Sequence, residues 1–80
     1  MSIRNLHNEA MYKTDLGDIQ EHNGNHEEAI KLYGDAYELE KKAAFIALEK
    51  QLGEPTISIL LKSTAALAMR CNLNENLGIT

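Results

Sequence analysis

Residues 16–30 read LGDIQEHNGNHEEAI, and the fold turns on whether Asn23-Gly24-Asn25 cuts this stretch in two. Glycine tolerates the left-handed backbone that closes a helix, and Asn25 followed three residues later by Glu28 matches a capping box for a new one. The stretch therefore reads as a helix end, a tight turn and a helix start. His22 and His26 stand four apart within it, a spacing that holds a metal when both lie on one continuous helix. The turn between them removes that shared face, and His7 supplies no obvious third ligand. Neither a metal nor a cofactor is expected.

Outward from this turn, the next strong stop is Gly53-Glu54-Pro55, with Gly suited to the position after a helix and Pro to the first turn of the next. The punctuation predicts one all-α domain over residues 1–80: helices at 3–22, 26–52 and 55–71, then a short tail at 72–80. Ala29, Ile30, Tyr33, Ala36, Tyr37, Ala43, Ala44, Ala47 and Leu48 recur at helical period along one face of the second helix, flanked by Leu32, Leu39 and Ile46. So wide an arc predicts more than one neighbouring helix. The first helix carries Ile3, Leu6, Ala10 and Gly17 on one side and Tyr12, Leu16 and Ile19 on nearly the opposite side, which predicts that it too lies between neighbours. The third is largely apolar, with Ile57, Leu60, Leu61, Leu67, Ala68 and Cys71 on one face and Ile59, Ala66 and Met69 on another. A helix apolar nearly all round is normally buried.

Composition narrows the function. One proline, no tryptophan and a net charge of −4 describe a small acidic helical chain with no basic field for phosphates, so neither nucleic acid nor an acidic membrane surface is expected as a partner. The charge is uneven: residues 1–54 hold 6 Lys+Arg against 11 Asp+Glu, and residues 55–80 hold 2 against 1. Cys71 is the single cysteine and cannot form an internal disulfide, and the N-terminus lacks the apolar core of a signal peptide, which points to a reduced, cytoplasmic setting. The carboxylates interleave with Lys31, Lys41, Lys42 and Lys50 as on a solvated helix. Glu40 differs, because it falls inside the apolar arc and needs a partner or an exit to water, which an overhang of the second helix past the first would provide. Cys71 lies on an apolar face and reads as an inert thiol. No phosphate loop, triad order or paired-cysteine motif is present, and no enzymatic activity is expected.

Two Asn-rich stretches look alike: His22-Asn23-Gly24-Asn25-His26, and Cys71-Asn72-Leu73-Asn74-Glu75. At the same offset, small Gly17 corresponds to small Ala66. This predicts a repeated helix-turn-helix unit whose second copy stops near Thr80. Leu16-Gly17, then Gly24, Glu27-Glu28-Ala29-Ile30, Tyr33, Ala36 and Leu39-Glu40 resembles the tetratricopeptide repeat over about 30 residues. Lys13 and Gln20 depart from its favoured Trp and Tyr. The resemblance implies a helical hairpin in which Leu16, Gly17, Gly24, Ala29, Tyr33 and Ala36 make the close packing, and a role in binding protein. The positions matching that family's carboxylate clamp are Thr14 and Asp18, which carry neither its Lys nor its Asn. Gly24-Asn25-His26-Glu27-Glu28-Ala29-Ile30-Lys31-Leu32-Tyr33 is also similar to the microtubule-interacting and trafficking domain, a three-helix bundle, which implies an alternative role in binding a short helical peptide motif.

With so little groove to offer a peptide, self-association outranks peptide capture. The expectation is a non-catalytic interaction or scaffold module, its partner a protein and in the first instance a second copy in a homodimer or higher oligomer. The candidate interface is Ile59, Leu60, Ala66, Leu67 and Met69 on the third helix, left bare if no later helix covers it.

Overall fold

A computed structural model describes the backbone of residues 2–79 and the side chains of residues 2–71. Three helices follow one another, α1 (Ile3–His22), α2 (His26–Glu49) and α3 (Glu54–Ile79), and no strand occurs among the described residues. Ser2 starts α1, its Oγ accepting from the Asn5 amide at 3.0 Å. Gly24 closes α1 at φ +84°, with the Asn25 amide donating to the Gln20 carbonyl and the Gly24 amide to that of Glu21. That pair of bonds is a Schellman motif, and it satisfies carbonyls that the helix end leaves free.

The same motif ends α2 without a glycine. Gln51 takes φ 54°, while Leu52 donates to the Ala47 carbonyl and Gln51 to that of Leu48. The second helix thus stops at Glu49, earlier than the expected residue 52, because the left-handed residue is Gln51. Gly53 serves instead to cap α3, its carbonyl accepting from Ile57, with Pro55 in the first turn as expected. Replacing Gln51 with Gly removes the steric cost of a side chain at positive φ, and a rise in stability of about 0.5–1 kcal/mol is expected in urea unfolding.

Two further expectations are corrected. Asn25 forms no capping box, since its side chain makes no cap bond and donates instead to Gln20 Oε1 at 2.8 Å. The stretch Cys71–Glu75 is no second turn, and residues 72–79 are no tail: α3 continues through them to Ile79. The repeat of a helix-turn-helix unit is therefore absent from the described backbone, and Thr80 lies outside the described residues.

Helix α2 packs against both of the others, with α1 and α3 each antiparallel to it, so α1 and α3 run parallel. Of its buried residues, Ala29, Tyr33, Ala36, Glu40, Ala43 and Ala47 form a seam of alternating four- and three-residue steps like that of a coiled coil, and Ala44 lies beside it. Alanines at most of these positions let the neighbouring backbones approach closely. One cluster joins Leu6 of α1 to Ala43, Ala44 and Ala47 of α2 and Leu60 of α3; the other joins Ala10, Ala29, Tyr33, Ala36 and Leu67. Helix α1 has one buried face, not two: Leu6, Ala10 and Gly17 are inside, while Tyr12 and Ile19 on the far side are exposed. Helix α3 is likewise buried on one face, with Ile59, Leu61 and Met69 exposed. No helix among the described residues is long and apolar enough to cross a membrane.

Candidate functional site

Where α2 and α3 meet, their apolar residues exceed what the core can take in. Phe45 is 57% exposed, Leu48 47% and Leu61 48%, and together with Lys41, Ala44 and Thr64 they line a shallow apolar cleft of about 80 Å³. Burying such side chains fully is worth roughly 1.5–3 kcal/mol each, so a cluster left half in water is a reservoir of binding energy. Leu52, just past the C-terminal end of α2, is 37% exposed. Lys41 leans over the Tyr37 ring at 5.7 Å, which draws its ammonium along α2 and away from Phe45. Lys42 and Glu49 are both exposed and form none of the ion pairs among the described residues.

A second concavity of about 310 Å³ lies between the first two turns of α1 and of α3, lined by Ile3, Arg4, His7, Asn8, Thr56, Ile59 and Leu60. His7 also faces inward. Its Nδ1 is 2.8 Å from Oε1 of Glu40, a carboxylate with no exposed surface whose Oε2 has no hydrogen-bond partner among the described residues. Glu40 occupies one step of the buried α2 seam, so the expected overhang of α2 past α1 is wrong: the carboxylate is enclosed, and its partner is His7. Stepping fourteen residues along each helix from the Glu21–His26 contact reaches His7 and Glu40, so the antiparallel register of the hairpin could have located the pair.

At the other end of the bundle Asp18, Tyr33 and Arg70 bind the three helices together. Asp18 Oδ1 accepts from the Tyr33 hydroxyl at 2.5 Å and from Arg70 Nη1 at 2.7 Å, while the Arg70 guanidinium lies 5.4 Å from the Tyr33 ring centre. Burial, reinforced by the Asp18 carboxylate, pushes the Tyr33 hydroxyl up to about 12, so it stays a donor at neutral pH. Gly17 lies against this ring. A Cβ there would stand 2.7 Å from Tyr33 Cε1, whereas one on Gly34 would meet nothing within 4 Å. Gly17→Val is expected to destabilise by about 2–3 kcal/mol because a ring held by Asp18 and Arg70 cannot give way. Gly34→Ala is expected to stabilise by about 0.5–1 kcal/mol, since glycine inside an open helix only adds unfolded-state entropy. Thermal melts of the two variants compare the signs.

The residues expected to pack the hairpin are brought together around this point. Gly17, Ala29, Tyr33 and Ala36 are buried and Leu16 is half-buried, while Gly24 acts through its backbone alone. The expected interface on α3 divides. Leu60 and Leu67, at 3% and 4% exposure, belong to the internal core and cannot meet a partner; Ile59, Ala66 and Met69 are exposed. Phe45 and Leu48 were placed in no interface by the sequence, although they end the apolar arc on the side that α3 leaves open. His26 Nδ1 lies 2.7 Å from Glu21 Oε1, a contact that fastens the turn, and His22 is exposed. Among the described residues no three His, Cys, Asp or Glu side chains gather closely enough to hold a metal ion. Cys71 is half-buried against the Tyr33 cluster. Comparison with protein-family models, curated proteins and solved structures found no match to this chain.

Proposed function

We propose that the chain is a non-catalytic protein-protein interaction module, a small helical scaffold of tetratricopeptide-like hairpin geometry that self-associates through the strip where α2 meets α3. The observation that carries this reading is the exposed cluster Phe45, Leu48 and Leu61 around one cleft. The expected interface on α3 alone shifts accordingly, because Leu60 and Leu67 are consumed internally and the large apolar surface continues onto α2. A small domain buries proportionally little of its own surface, so covering this strip adds substantially to its stability. Dimerisation makes stability depend on concentration. The melting temperature of the wild-type chain should rise steadily from 2 to 200 µM, and that of Phe45→Glu should not; a wild-type melting temperature independent of concentration would refute self-association.

The groove between α1 and α3 favours a second reading, a domain that docks a short peptide. Ile3 and Ile59 give it apolar walls and Arg4 a positive charge, with no carboxylate among its lining residues. Titration of a fluorescent acidic amphipathic helical peptide against wild type and Ile59→Asp tests this reading, which requires saturable binding lost in the variant.

A further inference from the structure

We infer that the second copy docks by antiparallel two-fold packing of α2 on α2, in a register that places Lys42 of each chain beside the partner's Glu49. This inference rests on the self-association reading and adds the geometry of the pair. Along an α-helix each residue advances about 1.5 Å and turns about 100°, which fixes where the side chains around Phe45 lie. Lys42 and Glu49 fall on one flank of Phe45, about 60° and 40° round the helix from it, and Leu48 falls about 60° round on the other flank. That second flank is the side of α3, since Leu48 lines the cleft with Leu61. The exposed surface of α2 is thus divided lengthwise into a flank bearing Lys42 and Glu49, a central Phe45, and a flank bearing Leu48, on which the Lys41 stem also lies, about 40° from Phe45, with its ammonium held over the Tyr37 ring.

Such a surface distinguishes between the two ways of pairing with itself. In a parallel two-fold pair the flanks are exchanged across the axis, so Lys42 and Glu49 would lie against the partner's Leu48. In an antiparallel pair each flank meets its own counterpart. The Leu48 flanks, with Leu61 of both chains beside them, then close over one another, and the charged flanks meet along the opposite edge. With the two-fold axis midway between positions 45 and 46, the two Phe45 rings stack with an offset of about 1.5 Å, and Lys42 lies level with the partner's Glu49. The symmetry makes two such pairs. Both side chains are exposed and occupied by no ion pair among the described residues, so the contact requires no internal bond to break. Closed two-fold pairing is also the commonest arrangement of identical subunits.

Charge exchange tests the register. Lys42→Glu puts four carboxylates along the charged edge and Glu49→Lys four ammonium groups, so each single variant should dimerise at least tenfold more weakly than wild type in sedimentation velocity at low salt. The double variant Lys42→Glu/Glu49→Lys recreates both pairs with the signs reversed and should recover the wild-type dissociation constant within about threefold. An equimolar mixture of the two single variants should form heterodimer, since each then meets the opposite charge. A wild-type dimer whose affinity neither single change weakens, or which the double exchange fails to restore, overturns the antiparallel register and leaves self-association standing. A wild-type monomer at 200 µM overturns both. Circular dichroism melts of the variants, both positions being exposed, confirm that the chain under test is folded.

Discussion

Replacing His7 with alanine is expected to lower the unfolding free energy by about 2–3 kcal/mol, a large effect for one half-exposed side chain. The cause lies in Glu40, not in the packing of the imidazole. Glu40 is wholly enclosed, Oε2 already lacks a partner, and His7 supplies the only hydrogen bond to Oε1 among the described residues. Removing it leaves a buried carboxylate with neither oxygen satisfied, the situation in which desolvation is uncompensated. Converting both partners to apolar residues should reverse the loss: His7→Leu/Glu40→Leu is expected to be at least as stable as wild type, because the alanine-lined seam then needs no charge within it. Urea unfolding of the two variants checks the pair. A His7→Ala chain as stable as wild type would show that Glu40 does not depend on this contact.

Neighbouring residues of α3 should respond in opposite ways to the same change. Leu60→Asp and Leu67→Asp each put a carboxylate among buried alanines and remove a leucine that joins α3 to both other helices. Loss of the leucine alone costs about 2–5 kcal/mol, and the buried charge adds to it. A domain of this size has little more than that in reserve, so both variants are expected to be unfolded at 25 °C, with no cooperative transition by circular dichroism. Ile59→Asp, one residue away and 58% exposed, should keep the wild-type helical signal. If Leu60→Asp stayed folded and Ile59→Asp did not, the face of α3 that docks on the hairpin would be the opposite one.

Why some of this was legible in the sequence and some was not follows from how local each signal is. The boundary of α1 depends on Ser2 and on Gly24, residues with few alternatives at a cap and a left-handed turn, and its expected and observed ends agree. The end of α2 depends on Gln51 accepting a conformation its own chemistry disfavours, which no propensity announces. Asn72 and Asn74 resemble the residues of the first turn, and asparagine tolerates positive φ, yet the helix runs on through both, so the residue types alone did not mark a stop. The close packing at Gly17 was implied only by the resemblance to the tetratricopeptide repeat, since Gly17 and Tyr33 stand sixteen residues apart, and in the fold the Tyr33 ring occupies that space. The split between buried Leu60 and exposed Ile59 was not readable. Both belong to apolar stripes, and only the position of α2 decides which stripe is covered. Phe45 was passed over for the same reason, its neighbours Ala43, Ala44 and Ala47 being the part of that run that meets other helices.

We propose that the strip formed by Phe45, Leu48 and Leu61 joins two copies of this chain. Light scattering on the eluting peak of a size-exclusion column, loaded at tens of micromolar, measures it most directly. Wild type should give twice the 8.9 kDa mass of one chain, and Phe45→Glu, with its helical content unchanged, should give one chain mass. A wild-type mass of a single chain, or a Phe45→Glu chain that remains a dimer, would refute self-association through this strip.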